Sequence, residues 1–140
     1  VRAELGRRSQ AIADLQRLVQ AHPDLGAAHW FNLAFLLDEA ERFDEAEGAF
    51  RRAVALDPQL DRAWYGLGLV LIRQQRYDEA VAALKRNTEL QPMSPYGWYQ
   101  LARVQVDRQQ PDEARKIIRH LKGFEPKVAD QLVRETGLDP

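Results

Sequence analysis

Residues 64–92 read WYGLGLVLIRQQRYDEAVAALKRNTELQP, and the same pattern recurs at a spacing of 34 residues on both sides. Residues 30–58 read WFNLAFLLDEAERFDEAEGAFRRAVALDP, and residues 98–126 read WYQLARVQVDRQQPDEARKIIRHLKGFEP. Each copy has a Trp, a Leu, a small residue, an Asp-Glu-Ala run and a Pro in the same columns. A fixed period of about 20–50 residues is typical of a repeat architecture, so this repeat decides the fold.

Each copy predicts two helices. In the first half of the central copy, Trp64, Leu67, Gly68 and Leu71 recur at i, i+3, i+4 and i+7, which is one face of an α-helix. The second half repeats small and apolar residues on one face as well. Small residues on the two facing sides let antiparallel helices approach closely. The columns that carry this signature are Trp30, Leu33, Ala34, Ala46 and Pro58; Trp64, Leu67, Gly68, Ala80 and Pro92; and Trp98, Leu101, Ala102, Ala114 and Pro126. We interpret the Trp residues as core anchors and the small residues as the positions where two helices pack closely against each other.

Other columns predict where the helices begin and end. An aspartate is expected to be the N-cap of each second helix, at Asp44, Asp78 and Asp112. The prolines Pro58, Pro92 and Pro126 are expected to stop each second helix. The Ser94-Pro95 dipeptide predicts a helix start, with a hydroxyl cap followed by Pro at the first helical position.

Helices often end on a residue in the left-handed conformation, usually Gly, and we expect one in the turn between the two helices of each copy. Gly6 supplies one in an incomplete first copy, whereas the full copies have Glu41, Gln75 and Gln109. A residue with a Cβ costs up to about 1 kcal/mol more than Gly in this conformation.

The pattern resembles the tetratricopeptide repeat (TPR). The resemblance implies an all-α fold, a right-handed superhelix (solenoid) of antiparallel helix pairs. It divides the chain into a partial repeat that is mainly a second helix, three full repeats and a C-terminal capping helix, at residues 1–26, 27–60, 61–94, 95–126 and 127–140. A cap is expected because the last repeat of a solenoid otherwise exposes its apolar side.

In the TPR family, the first helix of each repeat lines a concave groove that binds peptides. Carried over to this sequence, the groove residues are Phe31, Asn32 and Phe35; Arg62, Tyr65, Leu69, Ile72 and Arg73; and Tyr96, Tyr99, Gln100 and Arg103. An aromatic column, Phe31–Tyr65–Tyr99, and several aliphatic residues make this lining rather apolar. The resemblance therefore implies a scaffold that binds a peptide segment of a protein partner, mostly by apolar contacts. Gly66 is interpreted as opening space in the groove beside Tyr65.

One subclass of the family binds the C-terminal carboxylate of chaperones through a clamp of Lys, Asn and Arg. The matching positions in this sequence are Phe31, Phe35, Gly66, Tyr96 and Gln100. None of them carries a clamp residue. We expect that the chain is not a chaperone-tail receptor.

The composition argues against other classes of function. The net charge is −1, which gives no general attraction for nucleic acid. The sequence has no Cys and no long apolar run, so we expect neither disulfides nor membrane insertion. The Asp-Glu pairs recur in every copy, which fits helix starts better than acid–base catalysis. The histidines His22, His29 and His120 are interpreted as solvated loop residues. We expect no enzymatic activity, no metal and no cofactor.

Two alternatives remain open from the sequence. The chain could be the regulatory or substrate-docking part of a larger enzyme, for example a transferase. It could also assemble with itself through the apolar groove or through its N-terminal end. The abundance of Arg, Ala and Leu is typical of a bacterial gene. We expect a cytoplasmic protein, or a periplasmic one if the chain is a piece of a longer protein.

Overall fold

The computed structural model describes residues 2–140, with side chains from residue 5 onward. Within this range the chain forms α-helices and no strand. The helices are α1 (Arg2–Ala21), α2 (Ala27–Glu39), α3 (Phe43–Leu56), α4 (Asp61–Arg73), α5 (Tyr77–Leu90), α6 (Pro95–Asp107), α7 (Pro111–Lys122) and α8 (Pro126–Thr136). The expectation of an all-α fold built from helix pairs is confirmed. In the described part of the chain, no helix combines the length and apolar character needed to cross a lipid bilayer.

The chain divides into two compact units, at residues 1–70 and 71–140, and each is described separately. In the first unit, α2 packs against α1 and α3. Its core consists mainly of Ile12, Val19, Leu33, Ala34, Leu37, Ala46, Phe50 and Ala53. In the second unit, α6 packs against α5, α7 and α8, and α7 packs against α8. Its core consists mainly of Leu84, Leu101, Ala102, Ala114, Ile118, Leu121 and Leu132. The division into repeats made from the sequence remains a prediction.

The left-handed turns between paired helices are confirmed. Glu41, Gln75 and Gln109 have φ angles of 61°, 60° and 61°. At the end of α2, the amide of Arg42 donates to the carbonyl of Leu37 at 2.9 Å, and the amide of Glu41 donates to that of Asp38 at 3.0 Å. This hydrogen-bond pair defines a Schellman motif, which normally has Gly at the left-handed position. The same pair of bonds closes α4 and α6.

The turn expected at Gly6 is wrong, because α1 is one continuous helix that runs through this residue. The first copy of the pattern therefore begins with a single long helix.

The N-caps expected at Asp44, Asp78 and Asp112 are also wrong. Their helices begin two residues earlier than these caps would place them, with Arg42, Arg76 and Gln110 at the N-cap positions, and none of these three side chains makes a cap hydrogen bond. The aspartates occupy the second helical position, where a carboxylate is favoured by the positive end of the helix dipole. Instead of a cap, Arg42 binds the carboxylate of Glu45 at 2.6 Å, and Arg76 binds Glu79 at 2.6 Å. The pKa of Glu45 is lowered mainly by this hydrogen bond from Arg42.

Two of the three prolines stop the second helix as expected. Helices α3 and α5 end at Leu56 and Leu90, two residues before Pro58 and Pro92. Pro126 is different, because α7 already ends at Lys122 and Pro126 is the first residue of α8. The role expected for Pro126 is therefore wrong.

The helix start expected at Ser94-Pro95 is confirmed in position. Ser94 is the N-cap residue of α6 and Pro95 is its first helical residue, but the Ser94 hydroxyl makes no cap hydrogen bond.

Candidate functional site

The tryptophan column braces the turns before the first helices. Trp64 donates its indole N–H to the carbonyl of Pro58 at 2.9 Å, and Trp98 donates to that of Pro92 at 2.9 Å. Both side chains are half-buried. The interpretation of these residues as core anchors is therefore corrected, because each indole stays near the surface to reach the loop.

The first full copy departs from this arrangement, because the loop before Trp30 has one residue more than the loops before Trp64 and Trp98. Arg52, rather than the indole of Trp30, donates to the carbonyl of Pro23 at 3.2 Å. The guanidinium of Arg52 also lies 5.8 Å from the ring centroid of Trp30. The indole nitrogen of Trp30 is buried and has no hydrogen-bond partner within the described residues.

Gly66 packs against the ring of Phe50. A Cβ at Gly66 would lie 2.5 Å from the Cε1 and Cζ atoms of Phe50, well inside van der Waals contact. The expectation that Gly66 opens space in a groove is wrong, since the Phe50 ring fills that space.

An aromatic surface lies on the first helices of unit one. We call it the α2–α4 surface; it comprises Phe31, Asn32, Phe35, Arg62, Tyr65 and Leu69. Phe31 is half-buried and meets Phe50 edge to face, with 6.0 Å between ring centroids. Phe35 lies one turn further along α2 and is 51% exposed. Asn32 and Arg62 are exposed, whereas Tyr65 and Leu69 are half-buried.

Arg62 is held over the aromatic face of Phe31. Its guanidinium carbon lies 5.1 Å from the Phe31 ring centroid, which is a cation–π distance. Arg62 is exposed, and among the described residues its guanidinium has neither a hydrogen bond nor an ion pair.

In unit two, the C-terminal helix contacts the predicted groove residues of α6. The hydroxyl of Tyr99 donates to both carboxylate oxygens of Glu135, with 2.8 Å to Oε2. Arg103 binds the same carboxylate at 3.2 Å. The pKa of Tyr99 is raised, mainly because its neutral hydroxyl donates to Glu135 and also because it is partly buried. The sequence did not reveal Glu135, because α8 lacks the columns that fix the register of the other helices.

The remaining predicted groove residues differ in exposure. Tyr96 is 70% exposed, Arg73 is exposed, and Ile72 and Gln100 are half-buried. The twelve residues predicted for one groove thus fall into two sets, one in each unit. Their shared role in binding remains a prediction.

Two of the three histidines lie in helices, so their interpretation as loop residues is wrong. His29 lies in the first turn of α2, half-buried, with an Nδ1 that is buried and unpartnered within the described residues. His120 lies in α7 and contacts the ring of Trp98 at a tilted angle and that of Phe124 edge to face, at 4.5 Å and 5.2 Å between ring centroids. In the part of the chain that the structure describes, no group of three His, Asp or Glu side chains is placed to hold a metal ion.

Comparison with known proteins gives matches to repeat proteins. Two family models match, both described as tetratricopeptide repeat: one over residues 1–61 and 36–95, the other over residues 71–133. No curated protein matches the sequence.

Among solved structures, a MamA protein has a TM-score of 0.80 and 20% sequence identity, over 99% of this chain and 72% of that one. MamA from Desulfovibrio magneticus RS-1 has a TM-score of 0.78 and 18% identity, over 89% of this chain and 70% of that one. YrrB, described as a TPR protein with an unusual peptide-binding site, has a TM-score of 0.68 and 21% identity, over 80% of this chain and 57% of that one. At these identities the likeness shows the fold. Because the family models together match most of the sequence, the chain belongs to the tetratricopeptide repeat family.

Proposed function

We propose that this protein is an interaction module that binds a peptide segment of a protein partner on its α2–α4 surface. The observation that carries the proposal is the exposure of Phe35, which leaves 51% of a large apolar side chain in water next to Phe31 and Arg62. A cluster of aromatic residues with an Arg is the composition that dominates protein interaction sites.

The location within the fold also supports this surface. Burial of Leu33, Ala34 and Leu37 fixes the rotation of α2, so that Phe31, Asn32 and Phe35 lie on the opposite face. The corresponding face of α6 is already contacted by α8 through Glu135. On the α2–α4 surface, Arg62 of α4 contacts Phe31 of α2, Phe35 stays exposed, and no carboxylate among the described residues binds Arg62. We therefore assign this surface to an external peptide.

The family provides independent support. TPR proteins bind protein partners through such helix faces, and YrrB is described as having a peptide-binding site. A peptide on the α2–α4 surface would cover the Phe35 ring and place main-chain amides near Asn32, whose side chain can both donate and accept hydrogen bonds.

The test is a selection of displayed random peptides on the native chain, followed by calorimetry with the selected peptides. We expect Phe35→Ala to weaken binding at least tenfold, because the ring would supply an apolar anchor. Leu56→Ala is the matched control: Leu56 is an exposed apolar residue at the end of a second helix, away from this surface. Equal affinities for the two variants would refute the assignment of the site, and failure to select any peptide would refute the proposed function.

Light scattering across a range of concentrations tests the alternative of self-assembly. The proposal expects a mass that does not depend on concentration. If the mass rises with concentration in the native chain but not in Phe35→Ala, the surface binds a second copy instead.

A further inference from the structure

We propose that the α2–α4 surface selects a peptide segment with an acidic side chain next to an apolar one, and that Arg62 is the residue that determines this specificity. This inference rests on the proposed function, because it names the chemistry of the peptide that the surface binds. The acidic side chain would contact the Arg62 guanidinium while the apolar neighbour packs on Phe35.

The first argument is that the Arg62 guanidinium is held by an aromatic ring but not by an acidic partner. Its guanidinium lies over the Phe31 ring at 5.1 Å, and within the described residues no carboxylate or carbonyl uses its N–H groups. Stacking on an aromatic ring holds a guanidinium in place while leaving donors at its edge, and these donors match a carboxylate in a bidentate pair. Because the stack already restrains the side chain, less conformational entropy is lost when a carboxylate binds.

The second argument is that unit two already contains such a complex. There, an aromatic residue and an Arg on the face of α6, Tyr99 and Arg103, together bind the carboxylate of Glu135 from α8. Tyr99 stands two repeat periods after Phe31, in the same aromatic column. The chain therefore provides its own example of a carboxylate bound by an aromatic residue and an Arg. In unit one the Arg comes from α4 rather than from the helix of the aromatic residue, and its guanidinium lies over the Phe31 ring.

The sequence around Glu135 indicates which kind of residue accompanies the acidic side chain in the bound peptide. Leu132 lies one turn before it on α8 and is fully buried, so the acidic contact and an apolar contact are made by the same helix. On the α2–α4 surface, Arg62 and Phe35 both lie beside Phe31, so one segment can reach them together. A carboxylate with an apolar neighbour about one turn away fits this spacing.

The carboxylate is assigned to a side chain rather than to a chain terminus. Arg62 is the one cation on the α2–α4 surface, and its neighbours Phe31, Phe35 and Tyr65 are aromatic. A chain terminus would place its polar end group against these rings, whereas the methylene stem of Asp or Glu packs on them and carries only its carboxylate to Arg62.

The test uses peptides selected on the native chain from a random library, synthesised with amidated C-termini. We expect every retained sequence class to contain Asp or Glu near an apolar residue. Replacing that acid by its amide should weaken binding to the native chain about fivefold, as for a partly exposed ion pair. In Arg62→Gln the same replacement should have no effect, since the interacting cation is gone. Arg62→Lys should restore only part of the difference because Lys lacks the planar pair of donors.

Each result decides a separate question. Loss of the acid effect in Arg62→Gln, with binding retained, supports the inference. If amidated peptides bind, require Phe35 and are indifferent to the acid-to-amide change, the inference is overturned while the proposed function stands. If the peptides bind only with a free C-terminus, the contact is with a chain end and the inference is overturned. If no peptide is retained by the native chain, both the proposed function and the inference fail.

Discussion

Gly66 has no side chain because the ring of Phe50 occupies the place where one would be. In the sequence, a glycine inside an apolar helix pattern indicates a close approach, but it does not name the approaching group. Its position beside Tyr65 suggested a binding groove, and the structure shows a packing contact with α3. The reach of Phe50 from α3 to Gly66 in α4 depends on the length of its side chain, which a periodic pattern does not encode.

The contact between Gly66 and Phe50 predicts that Gly→Ala substitutions at two helical glycines change the stability of the protein in opposite directions. Gly66→Ala should destabilise the protein by about 1–3 kcal/mol, because the new Cβ and the buried Phe50 ring would overlap. Gly48→Ala is the control, since nothing lies within 4 Å of a Cβ at that position in α3. It should stabilise the protein by about 0.5–1 kcal/mol through helix propensity. Urea unfolding of both variants checks the pair, and a stabilising Gly66→Ala would disprove the contact.

The indole hydrogen bonds predict a difference between two tryptophans. Trp64→Phe removes the bond to Pro58 and should cost about 1 kcal/mol more than Trp30→Phe. The indole of Trp30 has no partner within the described residues, so its removal forfeits no hydrogen bond. Chemical denaturation of the two variants measures the difference. Equal losses would mean that the Pro58 bond contributes nothing.

Helix positions were predictable to within a residue or two, but their caps were not. Sequence preference places Asp at N-caps, and Asp44 satisfies that rule in isolation. The helix starts at Phe43 because Arg42, Glu45 and the dipole stabilise an earlier start together. Pro126 illustrates the same limit: a proline is compatible both with the end of one helix and with the first residue of the next, and only the length of α7 decides between them.

The docking of α8 should depend on pH through Tyr99. Its pKa is raised by the hydrogen bond to Glu135. A raised pKa means that the stabilisation is complete below the ordinary tyrosine pKa of about 10 and is lost as the pH rises through the raised value. The melting temperature of Tyr99→Phe should therefore lie below that of the native chain at neutral pH, and the gap should close at strongly alkaline pH.

Tyr96→Phe is the control for this experiment, because Tyr96 is 70% exposed and it is Tyr99 whose hydroxyl binds Glu135. A gap for Tyr99→Phe that stays constant from neutral to alkaline pH would contradict the assigned role of the phenol.

At the scale of the molecule, the 34-residue repeat made the fold predictable, but the structures of helices α1 and α8 could not be predicted from it. The 34-residue spacing aligns Trp, small residues, Asp-Glu-Ala and Pro in three copies, and each copy forms a helix pair. Helices α1 and α8 lie outside these columns. The continuation of α1 through Gly6 and the contact of Glu135 with Tyr99 therefore had no sequence signal. The sequence predicted the proposed binding surface only as a helix face. It did not predict that the Arg62 guanidinium lies over the Phe31 ring, because this contact joins two different helices.

Stability in a repeat protein is expected to be local. Trp98→Ala removes the hydrogen bond to Pro92 and the ring contact with His120, both within unit two. Because each repeat is stabilised mainly by its neighbours, amide exchange should accelerate in α6, α7 and α8 and remain slow in α2 and α3. Uniform acceleration throughout the chain would show that the repeats unfold as one cooperative unit instead.

The most direct test of the central claim is a map of backbone amide chemical shifts during titration with a selected peptide. The account predicts the largest changes on the α2–α4 surface, around Phe31, Phe35 and Arg62. It predicts small changes around Leu56, on the second helix of the same repeat. A map centred on Leu56, or on the loop that carries Met93, would contradict the claim that this protein binds its partner through the first helices of unit one.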